Sequence, residues 1–121
     1  LSNRSYWAQG RSLADVQKSI ENTTCFGLYD RAGLTVGFAR VLTDGVVFAY
    51  LMDVFILESH RGQGLGKHLV QHVIHHSGIQ VKIWMLVTAD AHSLYEKFGF
   101  QSLEPGNRYM IRQKEHENEP L

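Results

Sequence analysis

Apolar residues recur at two different periods along this chain, and the points where the period changes divide it into elements. Ser12-Leu-Ala-Asp15 has the form of a capping box. Leu13, Val16 and Ile20 follow at helical spacing as far as Asn22, which predicts a short helix of about nine residues. Cys25 to Tyr29, Leu34 to Leu42 and Val46 to Leu57 are strand-like runs. The turn-forming segments Asp30-Arg-Ala-Gly33 and Thr43-Asp-Gly45 join them, which predicts an antiparallel meander. Leu65, Leu69, Val70, Val73 and Ile74 then place one apolar face on a helix ending near Gly78, and Val81 to Val87 reads as a buried strand. A helix over 89–98, a strand over 100–103, a turn at Pro105-Gly-Asn107 and a strand over 108–112 complete the expected order. Residues 113–121 are polar and charged, as in a frayed tail, and no internal repeat is present.

Between the third strand and the second helix lies Arg61-Gly-Gln-Gly-Leu-Gly-Lys67. Glycines at 62, 64 and 66 let the backbone bend tightly and bring N–H groups close to a ligand. The first turn of the helix adds unpaired donors and the positive end of a dipole. Such a turn suits a phosphate or pyrophosphate. Two familiar phosphate motifs fail by spacing. Walker A requires glycine where Arg61 stands and a hydroxyl where His68 stands, and the dinucleotide fingerprint requires its last glycine where Lys67 stands.

What remains is Arg-x-x-Gly-x-Gly, and about thirty residues on comes Asp90-Ala-His-Ser-Leu-Tyr-Glu-Lys-Phe-Gly-Phe100. Leu94, Tyr95, Phe98 and the helix-ending Gly99 make a short amphipathic unit before extended structure resumes at Phe100. The two motifs, in this order, resemble those of the GNAT N-acetyltransferase superfamily over roughly Cys25 to Arg112. The resemblance implies the GNAT fold, of α+β or α/β class, a mixed and mostly antiparallel central sheet flanked by helices, with residues 1–121 as a single acetyltransferase domain. Members of the family usually open with a strand and a longer helix. Their first strand is therefore expected to be missing ahead of Leu1, with Tyr6 and Trp7 at the end of the first helix.

Composition agrees with this picture. A chain of 121 residues with 44% apolar content suffices for one domain with a real core. A formal net charge of zero gives no electrostatic footprint for nucleic acid or an anionic membrane. The longest apolar stretch, Val46 to Leu57, carries Asp53 and is too short to span a bilayer, and no signal-peptide pattern opens the sequence. The single Cys25 excludes an internal disulfide framework and suits a reducing cytoplasm. Beside Phe26 it is expected to be a buried structural thiol. A monomer or a homodimer is expected.

The resemblance implies acyl transfer from acetyl-CoA to the amine of a small molecule or protein. The pyrophosphate would lie against Arg61, Gly62, Gln63, Gly64, Leu65, Gly66 and Lys67, and pantetheine would pair with the backbones of Val54 and Ile56 as an added strand does. An alkyl amine with a pKa of about 10.4 is roughly 4.6 kcal/mol from its nucleophilic form at pH 7, so a base or a desolvating site is needed. Asp53 interrupts the apolar run Tyr50-Leu-Met-Asp-Val-Phe-Ile-Leu57, where a carboxylate needs a partner or a task. It is a candidate base or ammonium-attracting charge, and equally a structural salt bridge or bulge-capping residue. Many family members carry their acidic base slightly earlier, at positions that look like Tyr50 and Met52.

Tyr95 matches the family's general-acid tyrosine, and a phenol with a reference pKa of about 10 keeps its proton at neutral pH for donation to the CoA thiolate. Thr88 stands where the family often has a CoA-contacting asparagine. Lys67 and Lys97 are candidates for phosphate contact or for solvated surface positions. His68, His72, His75 and His76 fall on one helical face, offset from Val70, Val73 and Ile74, so a solvated stripe able to take nickel or zinc opportunistically is expected there; acetyl transfer itself needs no metal. His92 is a weaker base candidate than Asp53. Catalysis is the first reading. A non-catalytic module that binds and senses acyl-CoA is the alternative.

Overall fold

Burial differs from strand to strand: it alternates over Cys25–Tyr29 but runs unbroken through Ala39, Arg40 and Val41. In the computed structural model, which describes residues 12–103 and 108–114, the chain divides into two compact units between Leu86 and Val87. Tyr6, Trp7, the Pro105-Gly-Asn107 turn and most of the expected tail lie outside the described residues.

The first unit begins with α1 (Leu13–Glu21), and the Ser12 hydroxyl oxygen accepts from the Asp15 N–H at 3.1 Å, as the capping pattern predicts. Three strands follow, β1 (Thr24–Tyr29), β2 (Thr35–Thr43) and β3 (Phe48–Ile56), paired antiparallel in sequence order. Aspartates build both connections. Asp30 Oδ1 accepts from the N–H groups of Ala32 and Leu34, and Asp44 Oδ1 accepts from those of Val46, Val47 and Phe48. Short side-chain acceptors of this kind replace the backbone partners that a tight turn cannot supply.

After β3 the chain passes through a single 3-10 turn, Glu58–His60, and the glycine segment into α2 (Leu65–Gln71), which continues as a π turn over His72–His76. It returns as β4 (Ile83–Leu86), parallel to β3, so the sheet order is β1-β2-β3-β4. A parallel return requires a crossover, and the helix provides it. Leu69, Val70 and Val73 on the crossover are buried, as are Val36, Ala39 and Val41 on β2 and Ala49 and Leu51 on β3. Together they form the core of this unit.

Several expectations change. The strand expected over 81–87 is confined to Ile83–Leu86 and is not fully covered, with Ile83 and Val87 exposed. Its ladder with β3 holds four residue pairs. Cys25 is exposed, because alternation gives the covered side of β1 to Phe26 and turns the thiol the other way, 3.9 Å from the Ile20 carbonyl oxygen.

In the second unit, the helix expected over 89–98 is α3, His92–Glu96. It is shortened at its start, where the Thr88 hydroxyl oxygen accepts from the Ala91 N–H at 3.0 Å and holds a turn. It ends before Gly99, whose φ of 89° is left-handed. The strands expected over 100–103 and 108–112 do not form among the described residues. A strand needs a ladder partner, and Leu103, Tyr109, Met110 and Ile111 are exposed rather than half-covered.

Candidate functional site

The first unit brings Asp53, Val54, Ile56 and the Arg61–Lys67 turn onto β3 and the chain that leaves it. Two features set β3 apart from a regular strand. The first is a bulge. Phe38 of β2 faces Phe55, but Arg40 faces Met52, so Asp53 and Val54 together stand against Ala39. Asp53 adopts φ 56°, the one positive φ at a non-glycine among the described residues. This left-handed conformation costs most L-residues roughly 1–2 kcal/mol, and aspartate tolerates it better than most. The second is a parting of strands. The β3–β4 ladder ends at Leu51↔Leu86, whereas β3 runs on to Ile56 with β2 alone as its ladder partner among the described residues.

The carboxylate of Asp53 is met from inside the sheet. Arg40, only 1% exposed, donates from Nε to Asp53 Oδ2 at 2.8 Å and from Nη2 to the same oxygen. Its Nη1 donates to the Ser19 hydroxyl oxygen on α1, and its Nη2 lies 3.2 Å from the Met52 sulfur. One guanidinium thus links α1, β2 and the bulge in β3. Nearby, burial, followed by the negative charge of Asp53, pushes the Tyr50 phenol above its ordinary value of 10.0, so it is neutral at pH 7.

Two of the three glycines expected to bend the Arg61–Lys67 turn do so, whereas Gly66 lies within α2. Gly62 and Gly64 have φ 82° and 77°, and Gly64 is the N-cap of α2. A Cβ at either would meet no atom within 4 Å, so the space beside both is open and only the left-handed backbone demands glycine. The first bond of the helix runs from the His68 N–H to the Gly64 carbonyl, which leaves the N–H groups of Leu65, Gly66 and Lys67 without an intrahelical acceptor. Arg61 fastens this turn to the strand: its Nε donates to the Ile56 carbonyl at 3.0 Å and its guanidinium lies 5.7 Å from the Phe55 ring centroid. Gln63 and Lys67 are exposed.

Within the second unit, Tyr95 of α3 is 8% exposed and packs edge-on against Phe100 with ring centroids 5.9 Å apart. Its carbonyl accepts from the Phe98 N–H at 2.9 Å, which helps close the helix end. Thr88 uses its hydroxyl oxygen as the acceptor for Ala91. Lys97 and His92 are exposed.

The four histidines of the crossover helix are exposed, with His72 and His76 rings 6.2 Å apart and His72 edge-on to Phe26. Among the described residues no group of three or more histidine, cysteine or acidic side chains is arranged to hold a metal ion. No helix among them is long and apolar enough to cross a membrane.

Arg40 is the site residue that sequence reasoning missed. A cation in the apolar run Phe38-Ala-Arg-Val-Leu42, one strand away from a carboxylate in another apolar run, was a usable signal, because two such charges can be buried only together.

The strand, glycine turn and helix described above have counterparts among known proteins. Residues 21–102 match the model of the acetyltransferase (GNAT) domain. A protein of Gibberella zeae that carries an acetyltransferase name is 34% identical over an alignment that covers 80% of this chain and 66% of that protein. The chain therefore spans just under two thirds of the length of this curated relative. A crystal structure from Xanthomonas campestris pv. campestris, described as belonging to the GNAT family, is 41% identical with a TM-score of 0.83, covering 94% of this chain and 80% of that one. A protein of unknown function from meticillin-resistant Staphylococcus aureus is 27% identical with a TM-score of 0.73, covering 86% of this chain and 81% of the other. The chain belongs to the GNAT acetyltransferase family, and its fold is the α+β arrangement of that family, a mixed sheet flanked by helices.

Proposed function

We propose that this chain is an acetyl-CoA-dependent N-acetyltransferase that acts on a primary amine of a small molecule or a protein. The observation that carries the reading is the glycine turn, where unpaired N–H groups at a helix start border open space beside Gly62 and Gly64. Pyrophosphate fits that chemistry. Gly62 to Lys67 would supply backbone donors, and Arg61, held at the end of β3, a fixed positive charge. The stretch of β3 beyond the end of β4 suits an extended pantetheine arm along Val54 and Ile56, although the Ile56 carbonyl already accepts from Arg61.

Bound there, acetyl-CoA supplies a thioester carbonyl; attack by an amine forms the C–N bond, breaks the C–S bond and leaves a thiolate that needs a proton. Tyr95 is assigned as the donor of that proton on the strength of its motif. Thr88 keeps its hydroxyl hydrogen available for the cosubstrate while its oxygen serves Ala91. Of the roles open to Asp53, the bonds from Arg40 and the position in the bulge favour the structural one. The negative charge that would draw in an ammonium group is already matched by a guanidinium. The amine proton then passes to water.

An amine panel incubated with acetyl-CoA, with free thiol followed over time, tests this reading. Amine-dependent thiol release is expected. Tight acetyl-CoA binding with no release for any amine would favour the alternative, a module that senses acyl-CoA, which the engagement of Asp53 with Arg40 would also suit.

A further inference from the structure

We propose that Arg40 is a positioning residue that locks the β3 bulge and so holds the backbone of Val54 and Ile56 in the form that receives acetyl-CoA. The lock acts on Asp53. A carboxylate in an apolar strand would be released to solvent by straightening or slipping the strand, and a one-residue slip would reverse every side chain beyond it. Arg40 prevents this by holding Asp53 Oδ2 from the neighbouring strand with two of its nitrogens. The held side chain belongs to the one described non-glycine residue with a left-handed backbone. The bulge lies just past Leu51↔Leu86, where the ladder with β4 ends, so β4 does not fix the conformation of β3 at this point. A third donor of the same guanidinium reaches Ser19 on α1, so the bulge is anchored to a helix as well as to the sheet.

This inference rests on the reading that acetyl-CoA lies along β3, and glycine substitution separates the two. Glycine adopts φ near 56° without a side chain to hold it, whereas alanine does not. Arg40→Met removes the cation, Arg40→Met with Asp53→Gly removes both charges but lets the bulge persist, and Arg40→Met with Asp53→Ala removes both charges and the conformational support. Amide exchange at Val54 and Phe55 is measured without ligand, alongside calorimetry with acetyl-CoA.

Arg40→Met is expected to bind acetyl-CoA about tenfold more weakly and to exchange faster at these amides. The glycine double variant should return to within about twofold of the unaltered chain in both readouts, while the alanine double variant stays about fivefold or more away. Equal behaviour of the two double variants, or unchanged exchange in Arg40→Met, would overturn the lock. If exchange follows the expected pattern but the unaltered chain does not bind acetyl-CoA, the lock stands and the placing of acetyl-CoA on β3 falls.

Discussion

Arg40 and Asp53 meet across β2 and β3 with Nε 2.8 Å from Oδ2, and their side chains are 2% and 9% exposed. A pair so deeply covered contributes little net stability, since desolvation offsets much of the attraction, yet losing one partner strands the other. Arg40→Ala should therefore lower unfolding free energy by about 3–5 kcal/mol in urea denaturation. Asp53→Asn keeps an oxygen able to accept from Nε and should cost roughly 1–3 kcal/mol. A loss below 1 kcal/mol in both would mean that the pair does not hold the sheet.

Asp44 provides a pH-dependent contribution of known sign. Backbone N–H donors, Val46 first, then Val47 and Phe48, hold its carboxyl below the usual value of 3.8. A depressed folded value stabilises the native state at pH above the unfolded value and loses that stability as pH falls through the folded one. Asp44→Asn should lower the melting temperature at pH 7 and flatten its decline below about pH 4. Parallel melting curves for the two proteins across the acid range would remove Asp44 from the acid response.

Tyr95→Phe deletes the phenolic proton but keeps the ring against Phe100. Turnover with an accepted amine should fall by roughly 10² to 10⁴, with little change in acetyl-CoA affinity or melting temperature. Full activity where chemistry limits the rate would assign Tyr95 to packing.

Local chemistry made much of this fold legible. Apolar strand-like runs and the turn segments around Asp30 and Asp44 located β1, β2 and β3, and the Ser12 cap located α1, because each depends on residues adjacent in sequence. The glycine turn was legible for the same reason, although Gly66, expected to share its bend, lies within α2. For the Arg40–Asp53 pair the sequence offered two lone charges in apolar runs but not their contact, since the partners are 13 residues apart and meet at a bulge that shifts the strand register. The π turn at His72–His76 also escaped notice, because helical periodicity does not distinguish it from the α-helix it prolongs. Beyond Leu86 apolar content misled. Leu103, Tyr109 and Ile111 look like strand residues, but a ladder needs a partner that the sequence pattern cannot supply. The assignments of Tyr95 and Thr88 rested on family resemblance rather than on any local rule.

The most direct test of acetyl-CoA binding at the glycine turn is calorimetric titration of acetyl-CoA into the unaltered chain, Gly64→Asn and Gly64→Val. Asparagine adopts a left-handed conformation more readily than other side chains, whereas a β-branched residue there is a true outlier costing roughly 1–3 kcal/mol. A Cβ at this position would meet no atom within 4 Å beyond its chain neighbours, so the left-handed backbone is the first demand on either substitution. Acetyl-CoA should bind the unaltered chain at one site and be weakened in Gly64→Asn, where the side chain intrudes on the ligand. In Gly64→Val it should show no measurable heat while the melting curve remains cooperative. Unchanged affinity in a folded Gly64→Val protein would contradict the placement of the pyrophosphate at this turn, and with it the proposed acetyl-CoA site.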